Sequence, residues 1–70
     1  MRKRDLDQLL KISLRIDDLH QMFQDELNLA MKQPNTRKAD INLDMALDDA
    51  YQLRELFQEF ADRAKKVLHD

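Results

Sequence analysis

Apolar residues recur along this chain in steps of three and four, in two runs divided by its one proline. The first run is Leu9, Ile12, Ile16, Leu19, Phe23, Leu27 and Ala30. The second is Leu43, Ala46, Ala50, Leu53, Phe57, Phe60, Ala64 and Val67. Such spacing puts each run on one stripe of a helix that buries the stripe against a partner. The expectation is two helices, about residues 3–32 and about 40–69, joined by a loop at about 33–40.

Local signals agree with those limits. Pro34 disfavours helical geometry in the residue before it, so the first helix must stop near Gln33. Pro34-Asn35-Thr36 reads as a turn. Thr36, Asp40 or Asn42 can cap the helix that follows. The second helix begins acidic (Asp44, Asp48, Asp49) and ends basic (Arg63, Lys65, Lys66), which suits the helix dipole at both ends. Asp5 and Asp7 suit the start of the first helix, whereas Arg2, Lys3 and Arg4 oppose its dipole.

Two helices of equal length on a short loop form an antiparallel hairpin. The predicted fold is therefore all-α, one helical-hairpin domain over residues 1–70. Steps averaging 3.5 residues imply left-handed coiled-coil packing. The stripes are broader than one partner helix covers, because Leu6, Leu10, Met31, Leu47, Leu56, Ala61 and Leu68 widen them. A second layer is expected: a homodimer closing a four-helix bundle, or a larger partner protein.

Size sharpens this expectation. Seventy residues leave a small core, since a chain of that length buries only about 60% of its unfolded surface. There is no cysteine, so neither disulfides nor thiolate-bound zinc can staple the fold. Association is the remaining route to stability. Charged residues make up 37% and hydrophobic residues 43% of the chain, a balance that fits amphipathic helices. No apolar run approaches the roughly 20 residues of a membrane helix. The basic start, Met1-Arg2-Lys3-Arg4, lacks the apolar run of a signal peptide. No membrane association is expected, and the cytoplasm is the expected location.

Charge is unevenly placed. Residues 1–15 hold five positive and two negative charges, and residues 63–70 three and one. A hairpin brings both segments to its open end. The shafts between are acidic, with four negative charges over 16–31 and six against Arg54 over 41–62. In a dimer, such a pattern sets orientation and partner choice more than affinity. Alternatively, Arg2, Lys3, Arg4, Arg63, Lys65 and Lys66 grip the phosphates of RNA or DNA. Against this stand a net charge of −2, a pI near 5.6 and basic clusters without aromatic residues.

Candidate chemistry is sparse. Asp17 and His20 have a carboxylate-x-x-His spacing used in di-metal bundles. The expected inner positions of the second helix, Ala50, Leu53 and Phe57, cannot complete such a site. A partly buried His20 bonded to a neighbour is the plainer expectation, and His69 is terminal. Asp44, Asp48 and Asp49, and separately Glu55 and Glu59, share helical faces. Acid–base work needs a cleft that shifts a pKa, so these acids read as solvated surface. Without glycine there is no common phosphate-cradling loop.

The expected function is therefore non-enzymatic, with no metal and no cofactor. The chain reads as a protein–protein interaction module: an adaptor, small chaperone or inhibitor-type regulator. Its candidate interface is Leu9, Ile12, Ile16, Leu19, Phe23, Leu27, Leu53, Phe57, Phe60 and Val67, with Tyr51 as an anchor. The alternative is a nucleic-acid-binding regulator using the basic open end. In shape the expected hairpin resembles the dimeric plasmid copy-number regulators that bind RNA, and small co-chaperones of secretion systems. Shape alone does not fix function.

Overall fold

The computed structural model describes residues 2–69. Met1 and Asp70, which belong to the terminal charge segments, lie outside the described residues. Two helices, α1 (Arg2–Lys32) and α2 (Arg37–His69), pack against each other as a hairpin. About 30 residues at 1.5 Å each make rods near 45 Å, and the hairpin measures 51 × 15 × 10 Å.

The turn is built by three residues. Pro34 ends α1. Asn35 takes the left-handed conformation (φ 65°), which asparagine tolerates better than most residues. Thr36 then does two jobs. Its hydroxyl donates to the Gln33 carbonyl at 2.7 Å and accepts from the Ala39 amide at 3.1 Å. The second bond is an N-cap, and the Asp40 amide donates to the Thr36 carbonyl in the turn above it. With Thr36 as cap, α2 starts at Arg37, three residues before the expected position. Asp40 and Asn42 lie inside the helix.

The seam of α1 follows Leu9, Ile12, Ile16, Leu19, Phe23, Glu26 and Ala30, every one buried or half-buried. This corrects the expected stripe at one step, because Glu26 takes the seam position and Leu27 stands half-buried beside it. On α2 the seam follows Asn42, Ala46, Asp49, Leu53, Leu56, Phe60 and Val67. Here the correction is larger. Ala46, Leu53, Phe60 and Val67 lie where expected, but the alternate positions are shifted by one residue. Leu43 and Phe57 are 56% and 58% exposed, while Leu56 is 8% exposed. Ala50 and Ala64 are half-buried at the seam's edge.

An antiparallel register accounts for the contacts. Arg63 donates to Gln8 at the open end. Leu19 and Leu56 line one groove, and Ile16 and Phe60 line another on the opposite side. Continued toward the turn, the same register sets Phe23 opposite Leu53 and Ala30 opposite Ala46. Among the described residues the buried apolar core is Ile12, Ala46, Leu53 and Leu56. Ordering a residue costs on the order of 1–2 kcal/mol of backbone entropy, so so thin a core favours further burial.

Candidate interaction surface

The seam divides the hairpin into two flanks of different chemistry. On the first, α1 presents Leu6, Leu10, Leu27 and Met31, and α2 presents Leu43, Leu47, Phe57 and Leu68. Ala50, Ala61 and Ala64 lie among them. Of the large side chains, all but the half-buried Leu27 are between 47% and 76% exposed. At mid-length this flank forms a groove lined by Ser13, Ile16, Asp17, His20, Phe57 and Phe60. His20 is exposed here, against expectation, and its ring lies 6.4 Å from that of Phe23 at a tilt of 35°. It makes no hydrogen bond among the described residues.

The second flank is polar. Its central groove is lined by Arg15, Asp18, Met22, Gln52, Glu55 and Glu59, over Leu19 and Leu56. Toward the open end, Asp5, Gln8, Arg63, Lys66 and Val67 form a further recess. Apolar side chains on this side, such as Met22, Leu29 and Met45, stand singly among charges, which is ordinary for a surface.

The residues read from sequence as interface fall into three places. Ile12 and Leu53 are buried in the seam, and Leu9, Ile16, Leu19, Phe23, Phe60 and Val67 are half-buried along it. Leu27 and Phe57 belong to the apolar flank. Tyr51 stands on the outer face of α2 with Arg54, Glu55 and Gln58, away from both seam and flank. Arg2, Lys3, Arg4, Lys65 and Lys66 are exposed at the open end. Arg63 is engaged by Gln8 and pairs with Glu59 at 3.5 Å; so exposed a pair adds little stability.

Two seam residues were not legible as such: Glu26 and Asp49 are each 7% exposed. Asp49 therefore does not belong to the solvated surface expected of it. Burial raises the Glu26 carboxyl above its ordinary range, and the adjoining Asp49 carboxyl and the negative charges of Asp25 and Asp48 add to the rise. The signal was present in the spacing. Strict alternation of three and four from Leu9 lands on Glu26, and from Ala46 it lands on Asp49; their charge disguised the register.

Among the described residues no three His, Cys, Asp or Glu side chains are grouped so as to hold a metal ion. No described helix is long and apolar enough to cross a membrane. The chain matches no protein-family model, and neither a curated protein nor a solved structure matches it significantly.

Proposed function

We propose that this chain is a non-enzymatic interaction module of the cytoplasm that acts through the apolar flank of its hairpin. Its first partner is a second copy of itself, and the product is a four-helix bundle. The phase of α2 carries this reading. Turning α2 by about 50°, half a residue's rotation, would bury Leu43, Ala50 and Phe57 in place of Asn42, Asp49 and Leu56. The hairpin instead leaves the row containing Leu43 and Phe57 on its flank. A helix in a four-helix bundle touches two neighbours and needs a stripe of this extra width. The flank also has the right size. A face 51 Å by 15 Å offers roughly 750 Å² per copy, close to the ~800 Å² per partner of a standard interface. The large exposed apolar side chains on either side of its polar middle mark that face as an interaction site.

The biological role that fits is regulatory: a bundle that scaffolds, shields or blocks another protein. Sedimentation equilibrium at micromolar concentration tests the association. A dimer whose mass survives dilution supports it, and a fully folded monomer at those concentrations overturns it.

The gathering of Arg2, Lys3, Arg4, Lys65 and Lys66 at one end favours a second use, in which a dimer presents these cations to RNA or DNA phosphates. Gel-shift titration at two salt concentrations decides it, because phosphate-driven binding weakens steeply with salt. The absence of any shift at low salt removes it.

A further inference from the structure

We infer that Glu26 and Asp49 share a single proton across the seam, Glu26 donating to Asp49, and that this proton switches the closure of the turn-proximal half of the hairpin. The geometry comes first. Glu26 from α1 and Asp49 from α2 occupy the same layer of the seam, and both are more than nine-tenths buried. Glu26 Oε2 and Asp49 Oδ2 are out of contact with solvent and have no hydrogen-bond partner. Two carboxylates are acceptors only, so neither can satisfy the other while both are ionised. One proton converts the contact into a charge-assisted O–H···O⁻ bond and removes a like-charge repulsion.

Among the described residues, the charges that act on Glu26 are all negative. The charged groups facing the pair are Asp25 from α1 and Asp48 from α2, both acidic. The salt bridge among the described residues is Glu59–Arg63, several turns away. Among the described residues no third His, Cys, Asp or Glu is grouped with the pair so as to hold a metal ion. The position also explains why the switch acts locally. Beyond the pair the seam continues as Ala30 and Ala46, which hold the helices together by little apolar area. Ionising both carboxyls therefore loosens the segment from the pair to the turn. That segment carries Leu27, Met31, Leu43 and Leu47 of the apolar flank. The shared proton itself does not depend on what that flank binds.

The direction with pH follows from the raised Glu26 value. A carboxyl that binds its proton more tightly in the folded state stabilises that state fully below the ordinary glutamate range, about pH 4.3. The contribution is lost as pH rises through the folded value. Many other carboxyls also titrate, so the decisive quantity is the difference between wild type and Glu26→Gln. The glutamine amide donates permanently to Asp49 in place of the proton.

Thermal melts of the full chain from pH 4 to pH 8, at one protein concentration, test this. Glu26→Gln is expected to melt above wild type at pH 8, by a margin that shrinks to nothing near pH 4. Asp49→Asn is expected to show the same trend. In wild type, amide exchange over residues 38–48, corrected for its intrinsic pH dependence, is expected to quicken between pH 5 and pH 8 more than in Glu26→Gln. Variants that melt below wild type by the same amount at every pH would overturn the shared proton. So would a calcium- or magnesium-dependent gain in wild-type melting temperature at pH 8 that both variants lose, since the pair would then hold a metal ion.

Discussion

The two flanks of this hairpin come from the same helices, have the same length, and differ in what they leave exposed. One presents Leu6, Leu10, Leu43, Leu47, Phe57 and Leu68, broken at mid-length by Ser13, Asp17 and His20. The other presents Arg15, Asp18, Gln52, Glu55 and Glu59. Apolar residues run from the seam onto the first flank as a row, whereas on the second only Met22, Leu29 and Met45 interrupt the polar residues. On the proposed reading, the apolar stripe is divided between two jobs, folding along one edge and association along the other.

Substitutions in the seam, on each flank and at the cap separate those jobs. Leu53→Asp has the largest expected effect. It places an unpaired charge in the seam and costs several kcal/mol, about 3–5, so circular dichroism should show loss of helix. Phe57→Asp on the apolar flank comes next. It should weaken self-association about 30-fold or more, equivalent to about 2 kcal/mol. Sedimentation should register the change while helix is retained at high concentration. If Phe57→Asp leaves association untouched, the flanks do not differ in the way described. Thr36→Ala removes the cap of α2 and should cost about 1 kcal/mol, seen as a lower denaturation midpoint with the dimer still forming. Glu55→Gln on the polar flank should change stability by no more than about 0.5 kcal/mol and leave the sedimentation profile as it is.

The turn shows how local chemistry makes a boundary readable. Pro34 and the capping residues marked the end of α1 and the neighbourhood of α2's start. Among three candidate caps, however, only the structure selects Thr36, because its hydroxyl also bonds back to Gln33. The seam was half legible. Ala46, Leu53, Phe60 and Val67 belong to any apolar stripe one can draw on α2. The neighbouring rows compete, Leu43-Ala50-Phe57 on one side and Asn42-Asp49-Leu56 on the other. Hydrophobicity alone favours the first, and the hairpin uses the second. Glu26 and Asp49 went unread for the same reason, since a carboxylate at a seam position looks like an interruption of the pattern.

Two helices, the break between them and an apolar width beyond one partner's needs are properties of the residue order. They depend on spacing, on proline geometry and on side-chain chemistry, all of which act within a few residues. The rotation of α2 about its own axis is different. It depends on which rows of α1 it meets, a contact between residues far apart in the chain, and so only the packed structure decided it. That rotation is what buried two carboxyls face to face and left Phe57 on the surface.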